Sequence, residues 1–236
     1  KSTGCSKGRG GSMHLIDLDV NFFGATAIVG NSIPVGVGLA YSEKIQRTGN
    51  IVMIYIGDGA IEEGVFYESV NFASLYNLPV IFLCENNLYS VYSPIDKRQP
   101  KNRQISQMVA GLGIHSVKLE SSDISSSFHK LHDAFEFARE KVLPVFVEID
   151  AFRLLEHCGP SNDDSLNYRD QDYIHNSLEK DPLACLEKEL ANAIPNFRIL
   201  QKRFQQLIES EISESISFAK ESPIPCSRIR GVSNFC

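Results

Sequence analysis

The chain has no two cysteines at Cys-x-x-Cys spacing; its six, at positions 5, 84, 158, 185, 226 and 236, are scattered. A zinc ribbon and a disulfide-knotted secreted domain both need thiols in close sets, so neither is supported. No apolar run approaches the roughly 20 residues of a membrane-spanning helix. The opening Lys1-Ser-Thr-Gly-Cys5 is not built like a signal peptide. Basic residues are also in short supply: 23 Lys and Arg face 29 Asp and Glu, a net charge of −6. Nucleic acid and an anionic membrane surface demand a dense basic face, which excludes both as main partners. The one local basic stretch, Lys97, Arg98, Lys101 and Arg103, reads as a solvated loop. Repeats and low-complexity tracts are absent. A soluble, reducing compartment fits these absences.

What is present is an ordinary globular composition, 43% hydrophobic and 22% charged over 236 residues. That suffices for one sizeable core or one domain with a helical appendix. The glycine-rich opening (Gly4, Gly8, Gly10, Gly11) has loop character with no element before it to anchor. A further N-terminal portion is therefore expected. Gly30-Asn31-Ser32-Ile33-Pro34 predicts a helix start, with Asn31 or Ser32 as cap and Pro34 in the first turn. Gly36 and Gly38 then allow another backbone to come close.

Ile51–Ile56 is a continuous apolar run, as expected of a buried parallel strand. It ends in Gly57-Asp58-Gly59, and helical periodicity follows from about residue 61 to 76. Val80–Cys84 predicts the next strand, with Cys84 a small core residue. A short strand at 117–119, an amphipathic helix over 124–141 and a buried strand over 144–149 continue the alternation. Residues 151–174 read as a polar loop, and helices are expected at 181–193 and 196–221, followed by an aperiodic tail, 222–236. Strands alternating with helices predict an α/β fold: a mostly parallel sheet with helices on both faces, plus C-terminal helices.

In such a sheet ligands bind beyond the carboxyl ends of the strands. Asp58 lies at one such end and Asn86-Asn87 at the next. One strand–helix–strand unit thus delivers a carboxylate and a carboxamide to the same rim, both hard oxygen donors of the kind magnesium or calcium takes. The flanking glycines leave backbone open to a diphosphate, and the nearby helix start adds N–H groups and a positive dipole end. Either motif alone is common turn chemistry. Together, at this spacing, they resemble the signature of thiamine diphosphate enzymes.

The stretch Gly-Asp-Gly-Ala-Ile-Glu-Glu-Gly-Val-Phe-Tyr-Glu-Ser (57–69), followed by Asn-Leu-Pro-Val-Ile-Phe-Leu-Cys-Glu-Asn-Asn-Leu-Tyr (77–89), resembles the alpha subunit of 2-oxo acid dehydrogenases. That subunit belongs to the decarboxylating first component of pyruvate, branched-chain and acetoin dehydrogenase complexes. Gly8-Arg-Gly-Gly-Ser-Met-His14, Ala27-Ile28-Val29-Gly30 and Asp181-Pro182-Leu183 extend the resemblance over nearly the whole chain. It implies a thiamine diphosphate-binding fold in 1–175, holding the diphosphate and magnesium half of a site, and a C-terminal helical extension in 176–236. It implies magnesium ligation by the side chains of Asp58 and Asn87 and the carbonyl oxygen of Tyr89. Gly57, Gly59 and Ala60 would face the diphosphate. Ala27 and Val29 would lie near the aminopyrimidine, although the family usually has glycine where Ala27 stands. His14 and His157 would serve at the substrate, where imidazole can donate to a carboxylate or exchange a proton.

The resemblance also implies partners. A beta subunit would complete the site, as alpha2-beta2, and supply the glutamate that activates the cofactor; a lipoyl-bearing acyltransferase would accept the acyl group. Bacterial cytosol, or an organelle matrix, is the expected compartment. One departure matters: Leu155-Glu156-His157-Cys158 stands where the pyruvate enzymes read His-Gly-His-Ser, so phosphorylation control there is unsupported and the substrate stays open. Arg153 and Tyr168-Arg169 are retained, to order this loop or dock a carrier domain. Two other readings remain: a thiamine-dependent transferase or carboligase acting on a sugar or small aldehyde, and a non-catalytic regulatory subunit keeping the fold.

Overall fold

The computed structural model describes residues 1–225; Cys226, Cys236 and the rest of the tail lie outside the described residues. Packing divides the chain into two compact units, Val29–Asn192 and Lys1–Ile28 together with the chain from Ala193. This differs from the expected 1–175 and 176–236 partition.

The larger unit runs α1 (Ser32–Gln46), β1 (Val52–Gly57), α2 (Gly64–Leu75), β2 (Val80–Asn86), a hairpin of β3 (Tyr89–Ser90) and β4 (Ser93–Pro94), α3 (Ile95–Arg98), α4 (Ile105–Ala110), β5 (His115–Glu120), α5 (Ile124–Lys141), β6 (Val145–Asp150), α6 (Gln171–Leu178) and most of α7 (Pro182–Ala193). Four strands form a wholly parallel sheet in the order β1-β2-β6-β5. The inner strands β2 and β6 are apolar and buried on both faces, which is why their sequences show no alternation. On one face Ile54, Ile56, Phe82, Cys84 and Phe146 pack against Ile33 and Val37 of α1, Phe66 and Val70 of α2, and Val109 of α4. On the other, Ile81, Leu119, Val145 and Val147 meet Ala134 and Ala138 of α5. Helices thus cover both faces, as expected. Burying each of Phe66, Phe82 and Phe146 contributes about 1.5–3 kcal/mol.

Gly36 is required by a close approach. A Cβ there would lie 2.5 Å from Ile54 Cγ1, so α1 sits hard against β1. Asp123 caps α5 by accepting from Ser126 N–H at 3.0 Å. Asn31 precedes α1 without a capping hydrogen bond, contrary to expectation. β1 stands at one edge of the sheet among the described residues, and Tyr55 is 63% exposed there.

Several expected boundaries shift. The helix expected from about residue 61 begins at Gly64, after a single 3-10 turn over Ala60–Glu62, because Glu63 is extended. The loop expected to reach residue 174 gives way to α6 at Gln171, capped by Asp170, which accepts from the N–H groups of Asp172 and Tyr173. In the smaller unit, α8 (Phe197–Glu221) closes the described chain, and Ser2 N–H donates to Pro223 O at 3.0 Å. No helix among the described residues is long and apolar enough to cross a membrane.

Candidate functional site

β1 and β2 pair in parallel with Gly57 opposite Glu85, so Asp58 and Asn86 leave neighbouring strand ends at the same level. Asn87 follows one residue later. Asn86 is spent on structure: its Nδ2 donates to Glu148 Oε1 at 2.9 Å and its Oδ1 accepts from Leu88 N–H at 3.1 Å. Glu148, 3% exposed in the middle of β6, also accepts from Ser106 N–H at 2.9 Å. Asn87 Oδ1 accepts from Tyr89 N–H at 2.9 Å, and Tyr173 O–H donates to Asn87 O at 3.3 Å. Between them Leu88 takes φ 65°, a left-handed conformation unusual for leucine. The turn after β2 is therefore held by side chains on both flanks, with Asn87 and Tyr89 half-buried.

Asp58 is 1% exposed. Its Oδ2 receives Arg98 Nη2 at 2.5 Å, and Arg98 Nη1 reaches Glu62 Oε1 at 2.5 Å. The basic stretch expected to be solvated is so at Lys97, Lys101 and Arg103, which are exposed, but not at Arg98. The Arg98 side chain is only 11% exposed, because α3 and the hairpin fold it back over the β1 rim. Nothing local in the sequence signals this pairing, since Asp58 lies 40 residues earlier. Gly59 is packed on Ser90: a Cβ there would lie 2.7 Å from its Oγ, whereas one at Gly57 would meet nothing within 4 Å. Ala60 opens the 3-10 turn.

His157 is exposed on the loop after β6, beside exposed Cys158. The base of that loop is braced by a compact network. Arg169 donates to Asp163 and Asp164 at 2.6 Å each and to the carbonyl of Arg153. Arg153 Nη2 donates to Tyr168 Oη at 2.6 Å and to Val91 O at 2.9 Å, and Tyr168 in turn donates to Asp163 at 2.6 Å. Arg153, Tyr168 and Arg169 thus order the loop, one of the two roles expected of them. Asp163, 4% exposed, was not singled out from the sequence. The Tyr173 hydroxyl is raised above the ordinary phenol range, mainly by burial and then by the neighbouring Tyr89.

Val29 belongs to the same unit as Asp58, and its side chain is 62% exposed. Ala27 and His14 belong to the other unit, and both are exposed. A cavity of about 520 Å³ opens elsewhere, at the amino ends of the strands, lined by Lys44, Arg47, Asn50 and Arg139. Ligands of parallel sheets bind at the opposite ends, so the Asp58–Asn87 rim is the candidate site despite that cavity.

The sequence matches the dehydrogenase E1 component family over residues 1–227. Pyruvate dehydrogenase E1 component subunit alpha of Rickettsia felis is 34% identical over 225 residues, covering 95% of this chain and 68% of that protein. The alpha subunit of acetoin:2,6-dichlorophenolindophenol oxidoreductase of Bacillus subtilis is 32% identical over 231 residues, covering 95% and 66%. A transketolase from Leishmania mexicana overlaps 53% of this chain and 20% of its own, at TM-score 0.45 and 23% identity.

Proposed function

The chain belongs to the dehydrogenase E1 component family, and from that we propose that it is the alpha subunit of a thiamine diphosphate- and magnesium-dependent 2-oxo acid dehydrogenase. The observation behind this reading is the buried carboxylate of Asp58 beside Asn87, at the ends of two paired parallel strands. The donor set is all oxygen and hard, suited to magnesium.

Asp58, Asn87 and the Tyr89 carbonyl would hold the metal. The backbone at Gly57, Gly59 and Ala60 would face the diphosphate, and Ala27 and Val29 the aminopyrimidine. When bound, thiamine diphosphate supplies the electron sink for loss of carbon dioxide from a 2-oxo acid. The protein's part is orientation and proton handling. Asn86 and Glu148 fix the turn that presents Asn87. His157, exposed on its braced loop, donates a hydrogen bond to the substrate carboxylate or exchanges a proton with the reacting oxygen; His14 has the same role from the N-terminal segment. A beta subunit completes the site, in an alpha2-beta2 assembly, and a lipoyl group on an acyltransferase accepts the acyl product.

Calorimetric titration of the assembled alpha–beta complex with thiamine diphosphate and magnesium tests this. Binding is expected, and Asp58→Ala is expected to abolish it while circular dichroism stays unchanged. No binding by the wild-type complex would sink the reading. A panel of 2-oxo acids with an artificial electron acceptor then identifies the substrate; turnover of aldehydes or sugars alone would make the chain a carboligase subunit.

A further inference from the structure

Arg98 is the last residue of α3, and its guanidinium is committed on three sides. Nη2 lies on Asp58 Oδ2, Nη1 on Glu62 Oε1, and Nε donates to Ser93 O at 3.1 Å. Gln99 steadies the second of these by donating to the same Glu62 oxygen at 3.0 Å. A planar fork fixed at three points has no rotational freedom left, so it in turn fixes what it touches. It takes one oxygen of Asp58, Oδ2, and no side chain among the described residues pairs with Oδ1. It also lies beside the glycine turn: a Cβ on Gly59 would stand 3.8 Å from Arg98 Nη1.

We propose that Arg98 is a positioning residue of the cofactor site, clamping Asp58 through Oδ2 so that Oδ1 faces the divalent ion, and placing a fixed positive charge beside the diphosphate. This rests on the cofactor reading above. The two effects have opposite signs for different ligands. A guanidinium next to a metal ligand repels a bare divalent ion. A diphosphate brings more negative charge than the ion brings positive, so the metal–cofactor pair is attracted. A simple counter-ion, evicted when the site fills, would weaken binding of both, and its removal would tighten both.

The test uses the assembled alpha–beta complex, with thiamine diphosphate plus magnesium followed calorimetrically and Mn²⁺ alone followed by electron paramagnetic resonance. Arg98→Gln is expected to weaken cofactor binding tenfold or more while leaving bare Mn²⁺ binding unchanged or tighter. Arg98→Lys keeps the charge but loses the fork, and is expected to fall between the two. It also decides the matter if Arg98→Gln does not fold. Unchanged or tighter cofactor binding by Arg98→Gln, or wild-type affinity in Arg98→Lys, would overturn the proposal. A wild-type complex that binds no cofactor overturns instead the functional reading on which the proposal rests.

Discussion

Glu148 on β6 accepts from the side chain of Asn86 on the neighbouring strand β2 at 2.9 Å, and its second oxygen takes the Ser106 N–H at the same distance. One buried carboxylate thereby ties the rim turn after β2 to the start of α4. Glu148→Ala leaves the buried Asn86 amide and the half-buried Ser106 N–H unpaired, each costing about 1–3 kcal/mol. Urea unfolding is expected to show a loss of about 2–4 kcal/mol. A loss below about 0.5 kcal/mol, typical of surface positions, would refute the tie.

Gly59 and Gly57 flank the same aspartate but differ in the space around them. Gly59→Ala drives a methyl into Ser90 and is expected to destabilise by about 1–3 kcal/mol. Gly57→Ala meets open space and is expected to leave the melting temperature within a degree or two of wild type. Adding Ser90→Gly to the Gly59→Ala chain should recover most of the loss. Failure of that rescue would place the strain elsewhere.

The His157 loop depends on Asp163, which faces Arg169 with both side chains almost wholly buried. Breaking a buried ion pair by removing one partner costs about 3–5 kcal/mol. Asp163→Asn is expected to release the loop base, seen as several-fold faster tryptic cleavage after Arg153 or Arg169 under native conditions. Unchanged cleavage would mean that the network does not brace the loop.

Burial pushes the Cys84 thiol far above its ordinary range, with the Asp58, Glu148 and Glu85 carboxylates adding to the shift. A folded-state value above the unfolded one favours the folded state fully below about pH 8.5, and that contribution declines as pH rises further. Urea midpoints measured from pH 7 to pH 10 should therefore fall for wild type and fall less for Cys84→Ala. The cavity in the variant lowers the whole curve without altering its slope. Parallel curves would remove Cys84 as the cause.

The strands were legible because Ile51–Ile56, Val80–Cys84 and Pro144–Ile149 are apolar runs bounded by turn residues. Asp58 and Asn87 were legible because a strand's end is also its chemical rim. Segment 89–110 was not: a two-residue hairpin and helices of four and six residues are too short to show a period. Arg98 looked like one member of a solvated basic run because its partner comes from β1, through a fold-level contact. Glu148 did leave a trace, a lone charge inside the apolar run of β6, which asks for a buried partner.

Among the described residues strand β1 closes the sheet on one side, with Tyr55 exposed beside it. A strand edge with unspent backbone groups will accept another extended chain, native or not. On the proposed alpha–beta assembly, an open edge of this kind sets assembly against mispairing during synthesis. Soluble yield should then track how early a proper partner arrives: simultaneous expression at low temperature favours it, and mixing separately purified subunits afterwards does not.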